Sequence, residues 1–304
     1  MLQLLIAGLT VGSEYALIAL GIHIILRSTR VVSFAQGEFA IVGGLIAYSI
    51  VDGPNVPVWY GVIGATLAGF VLGIAFERVI LRPAARAGET GATIATIGTV
   101  FVLLYGHALV PGWGSEPHVP PAFPGHNVAV RVPPAFDWGK GPGAMTETVV
   151  PVQSIWVVAL LLLALGVLYV FFERTYYGKA IRAAADNPLG ARLVGIDVRT
   201  TRAVSVGLAI ALAAFAGTII GPITLVGGAG GFALTIKGFV AAIAGGIESP
   251  LGCVAGGFVV GLLETFATVY FRSDAAEPLV YALLLVMLLV RPQGLFGRRE
   301  AVRD

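Results

Sequence analysis

The sequence predicts an all-α, polytopic transmembrane helical bundle, and three features carry that prediction. Hydrophobic residues make up 57% of the 304-residue chain, charged residues only 12%, and the mean hydropathy is +0.89; a soluble domain has about twice that charge. Apolar runs near membrane length recur along the whole chain. Lys and Arg collect between alternate runs instead of massing in one tract, which leaves nucleic-acid binding without a footprint.

Taken in order, Leu2 to Leu26 has no Lys or Arg before Arg27 and no small-residue cleavage pattern, so it reads as a retained span. Further spans are expected at Phe34 to Val51, Val58 to Phe76, Thr90 to Val110, Val152 to Phe172, Ala203 to Val226, Phe232 to Gly246, Leu251 to Phe271 and Leu279 to Val290. Phe232 to Gly246 and Leu279 to Val290 fall short of the roughly 20 residues that a straight crossing needs, so eight or nine spans both fit.

The distribution of cations predicts orientation. With the chain starting outside and crossing nine times, Arg27, Arg30, Arg78, Arg82, Arg86, a central loop over about 173–202 and the tail from Arg291 through Arg298, Arg299 and Arg303 all lie inside. The opposite face receives Asp52 to Pro57, a Pro- and Gly-rich segment over about 111–151, and Arg272 to Pro278. Trp113 and Trp138 in the middle segment suit an interfacial anchor or a small extracytoplasmic cap.

The central loop carries structure of its own. Asn187 can cap a helix that Pro188 opens, and Gly195 can close it just past Val194. Such a short helix is marginal in water unless something packs on it, which points to a docking partner on the cytoplasmic side.

Within the spans, small residues four apart at Gly8/Gly12, Gly69/Gly73, Gly217/Gly221, Gly252/Gly256 and Gly257/Gly261 predict close helix contacts. Two segments, Ser33 to Phe39 and Gly227 to Gly231, read as helix interruptions of the kind that place backbone groups on a transport path. They stand in corresponding halves of the chain, a hint of duplicated architecture. Ionisable residues inside spans are costly unless they face protein or water, which singles out Glu14, Glu38 and Glu264. The structural readings are pairing with a neighbouring helix for Glu14 and Glu264, a helix-end position for His23, snorkelling for Lys237 and simple packing for Cys253.

Enzymatic motifs are missing. Gly139-Lys140-Gly141 and Gly178-Lys179-Ala180 lack the Walker A spacing, no HExxH stretch occurs, and His107, His118 and His126 are not spaced as zinc ligands. ATP, if used, is hydrolysed elsewhere. A gradient-driven carrier using Glu14, Glu38 and Glu264 as proton or cation sites is the rival reading, and it has no need of a capped cytoplasmic helix.

Five segments together resemble one family. GLTVGSEYALIALG at Gly8 to Gly21, SFAQGEFAIVGG at Ser33 to Gly44, TYYGKAIRAAADNPLGARLVGI at Thr175 to Ile196, GGIESPLGCVAGGFVVGLLE at Gly245 to Glu264 and RPQGLFG at Arg291 to Gly297 resemble the permease subunits of branched-chain amino-acid (LIV-type) ABC transporters. The resemblance implies one permease domain over 1–304 in a prokaryotic plasma (inner) membrane, multi-pass, with its C-terminus cytoplasmic. It also implies a second homologous permease subunit, two ATPase subunits that bind ATP and Mg, and an extracytoplasmic substrate-binding protein, with no cofactor in this chain. Glu14, Gln36, Glu38 and Glu264 are then expected along the substrate path; Asn187, Pro188, Gly190 and Gly195 belong to a coupling helix over Asn187 to Gly195 that rests on the ATPase, with Arg182 and Arg192 adding charge pairing at that contact. Two departures stand out. Ala183 to Ala185 has no Glu before it, and Gln36 replaces the His common in the family, keeping hydrogen-bonding capacity without a titratable group. Urea, short amides and aromatic acids are alternative cargoes for such a permease.

Overall fold

The computed structural model describes residues 2–51, 56–114, 116–120, 122–125, 128–132, 148–224, 226–227, 230–270, 273–291 and 294–296. Trp138, His126, Arg298, Arg299 and Arg303 lie outside them, as do Gly228 and Ala229 of the second interruption. Helices α1 (Leu2–Thr29), α2 (Gln36–Val51) and α3 (Val58–Phe76) open the chain; a five-residue π turn, the short α4 (Arg82–Ala84) and a 3₁₀ turn then lead to α5 (Gly88–Gly106). Strands β1 (Ala129–Val132) and β2 (Thr148–Pro151) pair antiparallel before α6 (Val152–Arg174). The polar module α7 (Tyr176–Asp186) and α8 (Pro188–Leu193) follows, and α9 (Val198–Thr224), α10 (Gly230–Gly245), α11 (Pro250–Tyr270) and α12 (Ser273–Val290) complete the bundle.

Among the described residues, five helical runs are long and apolar enough to cross a bilayer: α1, the continuous Val58–Leu109 run that contains α3 and α5, α6, α9 and α11. At 16 residues each, α2 and α10 extend roughly 24 Å, less than the ~30 Å hydrocarbon core. The chain is thus an all-α membrane bundle whose short helices depend on the long ones for cover.

The helices fall into two matched sets. α1, α2 and α3 have 28, 16 and 19 residues, and α9, α10 and α11 have 27, 16 and 21. The long first helix of each set packs along the third helix of the other, α1 on α11 and α9 on α3. Glycine makes both approaches possible: a Cβ at Gly12 would stand 2.9 Å from the Gly257 carbonyl oxygen, and one at Gly73 would stand 2.7 Å from the Gly207 Cα. Without hydrophobic exclusion to hold helices together in lipid, this close backbone contact supplies the attraction. The core runs through α1 and α9, with Leu17, Ile18, Ile22, Ile210, Ile219 and Ile220 fully enclosed. α3, α5 and α6 turn Ile63, Leu67, Val71, Val102, Leu162 and Val167 outward, the surface an apolar solvent accepts.

Candidate functional site

The two interruptions meet inside the bundle. Gly37, in the first turn of α2, donates its backbone N–H to Thr235 Oγ1 of α10 at 2.7 Å, and Thr235 donates to the Gly231 carbonyl at 3.0 Å. The Glu38 carboxyl lies against Gly231, where an added Cβ would be 2.5 Å from Glu38 Cδ. Two helix N-termini thus converge on one buried carboxylate, which is the charge their dipoles favour. Glu38, Gln36 and Ser33 are all enclosed; Gln36 Oε1 and Ser33 Oγ have no hydrogen-bond partner among the described residues, and the Glu38 carboxyl has only a loose approach from the Phe232 N–H in the first turn of α10. Gln36 Nε2 donates to the Ala209 carbonyl at 2.8 Å, fixing α2 to α9. Gln36 and Glu38 therefore sit at a helix junction.

Glu14 and Glu264 occupy a different place. The close packing of α1 on α11 brings the Tyr15 hydroxyl to 2.5 Å from Glu264 Oε2, and Lys237 of α10 reaches Glu264 Oε1 at 2.7 Å and Glu277 of α12 at 3.4 Å. Lys237 does not snorkel. Its side chain is 13% exposed because three carboxylates on α1, α11 and α12 draw it into the bundle. Beside this cluster is a cavity of about 360 Å³ lined by Glu14, Tyr15, Ile41, Leu234, Lys237 and Glu277 and by the backbone of Gly227 and Gly230. Glu264 stands behind Lys237, outside the lining. Of the four carboxylates and amides expected on a path, only Glu14 faces this space.

A strap borders the cavity at the strand end of the bundle. His118 and Val226 pair backbone to backbone at 2.7 and 2.9 Å, the His118 ring packs on Tyr48, and Pro117 joins the cavity wall. Trp113 donates from Nε1 to Ser49 Oγ at 2.7 Å and packs against Ile41, Leu45 and Val226, which makes it part of this strap. At the other end a second cavity, about 670 Å³, is bordered by His23, Arg27, Arg30, Glu248 and Ser249. His23 Nδ1 lies 2.5 Å from the Ile247 carbonyl, at the helix-end position expected of it.

The central loop forms a rigid corner. Asn187 Oδ1 accepts the Gly190 N–H at 2.9 Å, Pro188 occupies the first position of α8, and Gly195 at φ +83° ends it. Gly195 N–H bonds the Arg192 carbonyl and Ile196 N–H the Ala191 carbonyl, the paired closure of a Schellman motif. Leu189, Leu193 and Val194 are exposed by 72, 89 and 76%. Arg182 faces inward: it bonds Glu173 at 2.5 Å and the Phe172 carbonyl at 2.6 Å, holding α7 to the end of α6, and the Glu173 hydrogen bond pushes its guanidinium pKa further up. Arg192 is exposed with no bond to a described residue. Asp197 caps α9 by accepting from the Arg199 N–H and Thr200 hydroxyl.

Residues 4–291 match the model of the family described as branched-chain amino acid transport system / permease component. The chain belongs to that family. As a member of this permease family it is a multi-pass membrane transport subunit. The high-affinity branched-chain amino acid transport system permease protein LivH of Salmonella typhimurium is 29% identical to it over 98% of this chain and 96% of that protein. BraD of Pseudomonas aeruginosa, with the same descriptive name, is 31% identical over 98% and 96%. A probable branched-chain amino acid transport permease protein LivH of Methanocaldococcus jannaschii is 32% identical over 92% and 88%. A solved structure, PsaBC from Streptococcus pneumoniae in complex with Fab, matches with TM-score 0.49 and 14% identity over 96% of this chain and 91% of that one, too slight a likeness to bear on function.

Tyr15, Thr235 and Glu277 were not singled out by sequence. Lys237 carried the available signal: it lies seven residues after Gly230, on the α10 face that also holds Leu234.

Proposed function

We propose that this permease-family chain forms one half of the membrane path of an ATP-driven importer for branched-chain aliphatic amino acids. It works with a second homologous permease subunit, two ATPase subunits that bind ATP and Mg, and an extracytoplasmic substrate-binding protein. The observation that carries the reading is α8: a short helix capped at both ends, standing outside the bundle with Leu189, Leu193 and Val194 uncovered. A six-residue helix is unstable in isolation, and an apolar face of this kind is stable in water only when covered.

In this reading α8 seats on an ATPase subunit at the cytoplasmic face. Asn187, Pro188, Gly190 and Gly195 make it rigid, Arg192 supplies a charge at the contact, and Arg182 holds α7 to α6 so that displacement of α8 passes into the span. The chain crosses nine times when α2, α10 and α12 are counted as spans, with the strand end outside and the C-terminus in the cytoplasm, in keeping with Arg27, Arg30, Arg82 and Arg291 at the α8 end. Cargo passes the strand-end cavity beside Glu14, and the Gln36–Glu38 junction governs whether α2 and α10 part. Relatives named for branched-chain amino acid transport, similar over nearly the whole chain, support the choice of cargo.

Reconstituted with its ATPase and binding-protein partners, the complex is expected to accumulate leucine, isoleucine and valine when ATP is supplied to the α8 side, and to keep doing so after ionophores collapse all ion gradients. Accumulation that needs a gradient and ignores ATP would overturn the reading.

A further inference from the structure

We propose that the strand-end cavity is a binding site for an α-amino-acid zwitterion, the ammonium group on Glu14, the carboxylate on Lys237 beside Gly230, and the aliphatic side chain on Ile41 and Leu234. This assignment rests on the transport reading above and adds the chemistry of one site within it.

Five observations converge. The cavity's roughly 360 Å³ falls in the size range of small-molecule sites, about 300–1,000 Å³. Glu14 borders it with only 7% exposure and makes no hydrogen bond or ion pair among the described residues, Lys237 acting on it from beyond contact distance, so a buried carboxylate faces the space with its hydrogen-bonding capacity unused. Leaving such a group unpaired is costly, and a ligand ammonium removes that cost.

Lys237 is the complementary charge. Two of its three N–H donors are directed to Glu264 and Glu277, which leaves one for a ligand. Beside it, a Cβ at Gly230 would meet nothing within 4 Å, so a carboxylate can approach the chain there, on the side of the α10 start away from Glu38. Ile41 and Leu234 offer the remaining wall to an aliphatic group. Glu264 and Glu277 already outnumber the one lysine they share, so the surroundings of the site are not positive overall. The site rejects a bare anion and favours a ligand that brings an ammonium.

The test uses the purified transporter with Ala233, a cavity residue, replaced by cysteine in a Cys253→Ala background. Alkylation of position 233 by N-ethylmaleimide is timed with and without L-leucine, leucinamide (no carboxylate), N-acetyl-leucine (no ammonium) and 4-methylpentanoate (no ammonium). Leucine is expected to slow alkylation by about tenfold and the three analogues by far less. Glu14→Gln and Lys237→Met abolish the protection, and Lys237→Arg, which keeps the charge if the lysine-free protein fails to fold, retains part of it. Equal protection by N-acetyl-leucine or leucinamide, or protection that survives Glu14→Gln, overturns the assignment. If wild-type vesicles import leucine with ATP while leucine leaves position 233 unprotected, the site falls and the transport reading stands. If vesicles import no leucine, the transport reading falls and the protection series still decides the site.

Discussion

Replacing Gly195 by valine changes the backbone of α8 and nothing else. The residue sits at φ +83°, and a Cβ there would meet no atom within 4 Å, so the substitution creates strain without a clash. Left-handed backbone costs an L-residue roughly 1–2 kcal/mol, and a β-branched residue is at the upper end. Escaping the strain means giving up the Gly195 and Ile196 N–H bonds that close α8. At about 1.4 kcal/mol per tenfold, the closed corner is expected to lose population by about 5- to 30-fold. Asparagine tolerates the left-handed region, so Gly195→Asn is the control. The assay is leucine imported per ATP hydrolysed in proteoliposomes, with subunit stoichiometry checked by gel filtration. Gly195→Val should assemble normally, hydrolyse ATP and import several-fold less per ATP, while Gly195→Asn stays near wild type. Wild-type coupling in Gly195→Val would refute the idea that a rigid α8 transmits force.

Three further outcomes are expected. Thr235→Val removes the acceptor of the buried Gly37 N–H, an unpaired donor costing about 1–3 kcal/mol, and should lower the thermal midpoint of the detergent-solubilised protein, whereas Thr235→Ser should restore it. Gly257→Leu places a side chain against Ala16 of α1, where a Cβ alone already comes within 2.5 Å of backbone; overpacking of about 1–3 kcal/mol or more should reduce folded yield, with Gly98→Leu, whose added Cβ meets open space, as the neutral comparison. Asp197 is held below the usual carboxylate range by the Thr200 hydroxyl first and the Arg199 N–H second. A depressed native pKa gives stability that is present above the unfolded value near 3.9 and lost as pH falls through the native one. Amide protection at the start of α9, with exchange rates corrected for their intrinsic pH dependence, should therefore be flat from neutral pH down to about 4 and fall below it, and Asp197→Asn should remove that dependence.

Local chemistry was legible and long-range pairing was not. Val58 to Phe76 is read from sequence with the bounds the structure has, because a proline and a polar turn delimit it. Asn187, Pro188 and Gly195 each act within a few residues, so their roles in α8 followed from spacing alone. The two interruptions were also visible, yet their contact through Gly37 and Thr235 depends on how α1 and α9 cross, which no local signal encodes. The same holds for the charged residues. Glu14 and Glu264 stood out by their depth in apolar runs, but Lys237 read as a snorkelling lysine because its partners are 27 and 40 residues further along the chain. Gln36 and Glu38 were expected on the path and are enclosed at the helix junction, where an approach that only glycine permits brings α10 over them. Span number is split at Phe232 to Gly246 and Leu279 to Val290 for a physical reason: α10 is too short to cross straight, and its packing among longer helices is invisible to hydropathy.

The most direct measurement is ATP-driven leucine accumulation in proteoliposomes that contain the complex with residues 187–195 replaced by a flexible Gly-Ser linker of equal length. The account predicts that the complex still inserts and binds lipid while accumulation against the gradient disappears. Sustained uphill import by that variant would contradict it.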